Sequence, residues 1–393
     1  MSLRPDQKFD YRHVGYGFLA ACALAVLAFV GLGVGAIVDV RQFAFSYLFA
    51  FVFFFTISFG SLFWVIVHHA VDAEWSVVMR RQLENIACLF SSLAVLFIPL
   101  VFVAPVLWAW MDPANAGNPV LQEKAAYLNR PFFWGRTLVY FAVFIGSAYL
   151  LRAYSVAQDA SGSARCTIYN RRVAFASIVP LALCVTFAAV DWLMSLDWHW
   201  FSTMWGVYLF AGAALSSLCV LVLVVTALRS VGYFKDLITE EHYHILGKLL
   251  LAFTIFWAYI GFSQYMLIWY ANIPEETSYF ILRNTGSWNV LSILLVVGHF
   301  VVPFLFLLPS LGKRRPGFLC GVAWWILAMH LLDVYLMVLP ELHRTGFRPS
   351  ILDLLAVLAI GSTLVAVYLK ALGDSALYPI RDPRLQQSID LQN

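Results

Sequence analysis

The amino-acid sequence predicts an all-α polytopic membrane protein with about ten transmembrane helices. Three observations predict it. Hydrophobic residues fill 62% of the 393 positions and charged residues only 12%, where a soluble domain carries about 25% charged residues. The mean hydropathy is +0.80. The apolar residues fall into ten continuous runs, each near the ~20 residues that a spanning helix needs. Continuous rather than alternating runs point to helices and away from a barrel.

The first run, 14–37, follows Arg4, Lys8 and Arg12. It is too long for a signal-peptide core and lacks an evident small-residue cleavage site, so it is expected to be retained. The second run covers 44–67, and the third, 86–110, contains Pro99 and Pro105. The fourth and fifth cover 132–151 and 173–194, with Pro180 inside the fifth. The sixth and seventh cover 203–228 and 247–270. The eighth, 288–308, holds Pro303, whose missing N–H should free the carbonyl of His299. The ninth and tenth cover 318–338 and 351–371. No soluble domain, linker or repeat interrupts the series, so a single transmembrane domain is expected.

Charge predicts the orientation. Ten helices put both termini on one side, and eighteen of the 25 Lys and Arg residues fall on that side. The positive-inside rule then places both termini, the 68–85 segment and the basic 313–315 cluster in the cytoplasm. Nine of the 14 tryptophans, at 108, 110, 134, 192, 198, 200, 205, 269 and 288, are expected near the outer interface. They read either as an aromatic belt or as a docking platform for a periplasmic partner. The six cysteines, at 22, 88, 166, 184, 219 and 320, show no CxxC spacing and suit small apolar packing roles.

Ionisable residues inside a bilayer are costly and so become functional candidates. In the fifth run Ser177, Pro180, Cys184, Ala188, Asp191 and Ser195 fall on one helix face. Asp191 should therefore point into the bundle near its outer end, either as a polar cap on a helix contact or as a functional ionisable group. Asp197 and His199 follow in the turn, where Asp197 could favour the N-terminus of the next helix. His299 sits near the centre of the eighth run, and His330 and Asp333, three apart, share a face of the ninth. That set reads as a proton relay, a packing network or a haem-ligating histidine pair. Tyr259, Ser263, Gln264 and Tyr265 of the seventh run are expected to add hydrogen-bonding partners. His68, His69 and Asp72, followed by Arg80 and Arg81, read either as an interfacial segment with basic anchors or as a proton entry port. The C-terminal tail with Arg381, Asp382 and Arg384 reads as a solvated end.

Three stretches carry a resemblance: VDWLMSLDWHWFSTMWGVYLFAG, HHAVDAEWSVVMRRQLE and, most specifically, KLLLAFTIFWAYIGFSQYMLIWYANIPEET at 248–277. Together they resemble the ActF family of membrane subunits of alternative complex III, the bacterial quinol:cytochrome c oxidoreductase. That family belongs with the NrfD-like and polysulfide-reductase membrane subunits. The resemblance departs at the SLD turn, where Trp198 stands at a position often occupied by proline.

The resemblance implies two four-helix bundles, helices 2–5 and 6–9, plus two outer helices, in a bacterial inner membrane. It implies a sister NrfD-like subunit, a periplasmic iron–sulfur subunit and multihaem cytochrome c subunits as partners. Haem and iron–sulfur centres would then lie in those partners, and this chain would bind no haem or metal itself. Asp191, Asp197 and His199 fall where relatives place quinone or menaquinone. His68, His69, Asp72, His299, His330 and Asp333 would supply a proton path. Two other functions stay open: an NrfD-type anchor of another iron–sulfur or molybdopterin oxidoreductase, and a secondary transporter.

Overall fold

The computed structural model describes residues 9, 10 and 15–392; Arg4, Lys8 and Arg12 lie outside the described residues. Among the described residues ten helices are long and apolar enough to cross a membrane: α1 (Gly15–Val38), α2 (Val40–Ala70), α3 (Val77–Phe102), α4 (Arg130–Ser161), α5 (Ala164–Leu196), α6 (Trp205–Ser230), α7 (Glu240–Ala271), α8 (Gly286–Leu307), α9 (Pro316–Glu341) and α10 (Ile351–Asp374). The protein is thus an all-α polytopic membrane protein, as its composition predicts.

α2 runs through the middle. It packs lengthwise on α6 and also meets α3, α5, α9 and α10. α4 lies against α5, α6 against α7 and α9, and α1 pairs with α10 on the flank. The phenylalanine-rich sequence of α2 explains its central place, because rings on every side must be buried. Phe51 and Phe55 meet Trp192 of α5 edge-on at 5.9 and 5.1 Å. Phe53 faces the other way, 5.7 Å from the ring of His330 on α9. Between α2 and α6 the backbones touch at Gly60, where a Cβ would stand 1.9 Å from the Ala213 carbonyl oxygen.

Side-chain pairings sort the loops onto two faces. Asp10, Tyr233, Asp72, Arg80, Asp159 and Asp382 gather on the face that holds the C-terminal tail, here called the terminal face. Lys124, Trp198, Trp200, Glu276, Arg283 and Glu341 gather on the opposite face.

Two expectations are corrected. The 68–85 segment is not a surface loop with basic anchors. Helix α3 already begins at Val77, and every side chain from Val77 to Ala87 is buried. The charged run MRRQLE is buried because Glu84 pairs with both arginines inside the run and Asp159 and Asp382 complete them from far away in sequence. The tryptophans form neither a belt nor a platform. Trp108, Trp110, Trp192, Trp200, Trp205 and Trp288 are buried, whereas Trp269 is exposed. Backbone carbonyls satisfy several of the buried indoles: Trp108 donates to Trp192 O at 3.2 Å, Trp200 to Glu276 O at 3.0 Å and Trp288 to His343 O at 2.8 Å. These contacts knit the opposite face together from inside.

Candidate functional site

The structure brings His299, His330 and Asp333 together in the membrane interior, all three buried. The two imidazole centroids are 6.2 Å apart. His330 Nε2 lies 2.8 Å from the Thr56 hydroxyl of α2. Neither nitrogen of His299, nor Nδ1 of His330, has a hydrogen-bond partner among the described residues. Asp333 accepts from the Tyr208 hydroxyl at 2.6 Å and from the Trp257 indole at 3.0 Å. The Trp257 ring also lies 4.1 Å from that of His299. Trp257 therefore links carboxylate and imidazole, and four helices besides α2 contribute to one polar cluster.

His330 is closely walled. A Cβ on Gly212 would come 2.9 Å from its Cε1 and 3.1 Å from its Nδ1. Gly212 is thus the residue that leaves room for the His330 ring, whose Nε2 is engaged by Thr56.

Three expectations about this cluster change. The residues near Asp333 on α7 are not Tyr259 and Tyr265, which are exposed on the outside of the helix. Gln264 is buried, with its Oε1 lacking a partner among the described residues, and Trp257 is the side chain that reaches Asp333. The carbonyl affected by Pro303 is not that of His299. Residues Val296–Val301 form a π-turn, in which Val302 N–H donates to Val297 O, five residues back. In that register the N–H missing at Pro303 is owed to Gly298, and Trp325 supplies it by donating to Gly298 O at 2.7 Å.

Asp191 is fully buried on α5, on the face expected for it with Ser177, Cys184, Ala188 and Ser195; Pro180 of that series is exposed. Its carboxylate is held by a residue the sequence did not single out. Arg136 of α4 donates Nε and Nη2 to the two oxygens, each at 2.8 Å, and Tyr140 donates to Oδ2 at 2.6 Å. The guanidinium lies 3.9 Å from the centre of the Tyr127 ring and 4.2 Å from that of Phe132. Asp191 is thus one half of a bidentate ion pair closed over by aromatics.

Asp197 and His199 do not join it. Asp197 accepts from the His199 backbone N–H at 3.0 Å and lies 3.3 Å from its Nδ1. The next helix begins only at Trp205, so Asp197 caps its own turn instead of that helix. His199 is an exposed side chain at the opposite face.

At the terminal face His68 and His69 close α2, both buried, and none of their four ring nitrogens has a partner among the described residues. Asp72 pairs with Arg171 and, at 2.8 Å, with Arg384. Arg80 and Arg81 are fully buried. Arg80 reaches Asp382 at 2.6 Å and Glu84 at 3.3 Å, and Arg81 reaches Glu84 at 3.0 Å and Asp159 at 2.8 Å. The C-terminal tail is therefore a docked strap pinned by the buried Asp382 and Ser388, not a free solvated end, although Arg381 stays exposed. It is also tied by Gln82 donating to Leu377 O at 2.6 Å and Ser388 donating to Trp75 O at 3.0 Å.

Burial works against ionisation of Asp382, but the guanidiniums of Arg80 and Arg384 outweigh it and hold the carboxyl well below the usual carboxylate range. Its contribution to stability is complete above the ordinary aspartate value of ~3.9 and is lost only as pH falls through the depressed one. The strap should stay docked from neutral pH down to about pH 5. Limited proteolysis of the tail across that range should give constant rates, and release near pH 6 would contradict the latch.

Comparison with protein-family models and with curated proteins finds no match to the chain. The geometry thus carries the functional argument. Among the described residues no group of three or more His, Cys, Asp or Glu is placed to hold a metal ion, and the six cysteines are free thiols. Arg136, Tyr140, Thr56, Tyr208 and Trp257 complete the sites that sequence reasoning began. Arg136 had a usable signal, a lone cation inside an apolar run. Trp257 and Tyr208 had none, because aromatic residues are everywhere in this chain.

Proposed function

We propose that this chain is an integral membrane subunit of a bacterial respiratory quinol:cytochrome c oxidoreductase of the alternative complex III type, and that it conducts protons through its second group of helices. The observation that supports conduction is the contrast between the two buried carboxylates. Asp191 is locked by a guanidinium, whereas Asp333 hydrogen-bonds only to a neutral phenol and a neutral indole. A carboxyl with neutral partners can take up and release a proton without breaking an ion pair. Imidazoles with unpartnered nitrogens beside it can pass that proton on, since each ring both donates and accepts.

The resemblance in the 188–212 and 248–277 stretches supports membership of the complex. The sister NrfD-like subunit would then oxidise quinol, because both oxygens of Asp191 are already taken by Arg136 and Tyr140. Periplasmic iron–sulfur and multihaem cytochrome subunits would dock on the opposite face. The terminal face would lie in the cytoplasm, in keeping with the excess of Lys and Arg there.

The test is Asp333→Asn in the whole complex, reconstituted in vesicles, with quinol oxidation and pH change followed together. Quinol:cytochrome c electron transfer should persist while proton translocation falls severalfold. If both survive unchanged, the cluster is a packing network. If electron transfer collapses in an assembled complex, the cluster belongs to a quinol site.

A further inference from the structure

We infer that the terminal-face end of α2, α3 and α5 encloses a water-filled chamber, and that the C-terminal strap is its lid. The inference does not depend on the conduction reading, because it concerns what fills and covers this end of the protein.

Three fully enclosed polar residues carry it. His68 and His69 leave four ring nitrogens unpartnered, and Asn170 of α5 leaves both its amide oxygen and its amide nitrogen unpartnered. Their residues are 1%, 2% and 0% exposed. Asn170 adjoins Arg171, which reaches Asp72 just beyond His69, so the three belong to one end of neighbouring helices. Six enclosed polar atoms without partners would each carry an uncompensated desolvation cost if dry. Such groups are ordinarily satisfied by ordered water.

The charge balance selects water over an anion. Each nearby cation already has carboxylate partners: Arg80 has Glu84 and Asp382, Arg81 has Glu84 and Asp159, and Arg384 has Asp72 and Asp382. With Arg171 on Asp72, four guanidiniums face four carboxylates, so no net positive charge is left to hold an anion, and the Nη1 donors of Arg80 and Arg81 that lack a partner among the described residues can be met by the same water. Imidazole and amide groups each combine donor and acceptor positions, which suits a ligand that does both.

The lid follows from the strap's anchors. Asp382 and Arg384 close over the side where Arg80 and Asp72 flank the histidines, Ile380 N–H donates to Asp159 at 2.9 Å, and Ser388 Oγ accepts from Val78 N–H at 3.3 Å. The side opposite the bilayer is thus covered by a terminal segment held by ion pairs and not by a transmembrane helix.

Hydroxyl-radical footprinting of the full chain in its membrane complex tests both parts, because radicals made from ordered water oxidise the residues beside it. His68, which also touches the rings of Trp64 and Trp75, and His69 should be oxidised severalfold faster than Trp108 and Trp192, which are equally buried and have their indole N–H groups partnered. Histidine is the less reactive of the two toward hydroxyl radical, so packing alone would give the reverse order. In Asp382→Asn, and in Arg384→Gln, which leaves the Arg80–Asp382 contact intact, exchange of the chamber with isotopically labelled water should quicken severalfold. Protection of both histidines to the level of Trp108 would overturn the water assignment. So would protection by inorganic phosphate that rises with its concentration. Unchanged exchange in both variants, with the tail released to protease, would overturn the lid.

Discussion

Asp191→Ala should cost the folded protein about 3–5 kcal/mol, the usual penalty for breaking a buried ion pair from one side. The cause is what stays behind. Arg136 would keep its charge inside the helix group with a side chain 10% exposed and its Nε and Nη2 donors without an acceptor. The Tyr140 hydroxyl would lose its partner as well. The loss should appear as a large drop in the melting temperature of the purified complex and as poor assembly. Removing both charges is the sharper test: Asp191→Leu with Arg136→Met should recover most of the loss, because apolar replacements leave no buried charge and only the Tyr140 hydroxyl without its partner. A single variant that melts like the native protein would show that the pair contributes nothing. A double variant as unstable as the single would show that position 191 matters through packing.

Gly60→Ala should be strongly damaging for a change of one methyl group. The added Cβ would stand 1.9 Å from Ala213 O, 2.6 Å from Ala213 C and 2.5 Å from Ser217 Oγ. Two of those three atoms are backbone and cannot rotate away. The helices must separate, at a cost of about 1–3 kcal/mol or more for overpacking. Thr56 lies one turn from Gly60 and touches His330, so the separation should also disturb the proton-active cluster. Gly33→Ala is the control. It sits on the outer flank of α1 with open space where its Cβ would go, and it should be neutral or slightly stabilising, since alanine favours a helix over glycine by roughly 0.5–1 kcal/mol. Equal melting temperatures for the two variants would refute the close-contact argument.

The ten helices were legible because a bilayer leaves a chain few options: long apolar runs must be helical. The inward placement of Asp191, His330 and Asp333 was legible for a related reason, since each shares a helix face with small or polar residues. The partners were not. Arg136 and Asp191 are 55 positions apart, and Arg80 and Asp382 are 302 apart. Local pattern carries no information at those separations. The charged start of α3 was misread for that reason, because charge looks like solvent exposure until its counter-charge is known. The outer tryptophans misled in the other direction. An indole at a membrane boundary and an indole donating to a buried loop carbonyl look identical in sequence.

The π-turn at Val296–Val301 makes the length of α8, and not only its composition, part of the site. A stretch with five-residue hydrogen-bond spacing is an α-helix that has accepted one extra residue. Deleting any one residue there would let the backbone relax to the ordinary register. The turns on either side would keep their faces, because one wide turn absorbs the extra residue, but positions inside the turn would shift by about one residue's step on the helix. His299 would swing off the Trp257 ring although no residue of the cluster had been replaced. A chain lacking that extra residue could keep every polar side chain named here and still lose their alignment, so an insertion or deletion in this turn would separate chains that align these groups from chains that merely contain them.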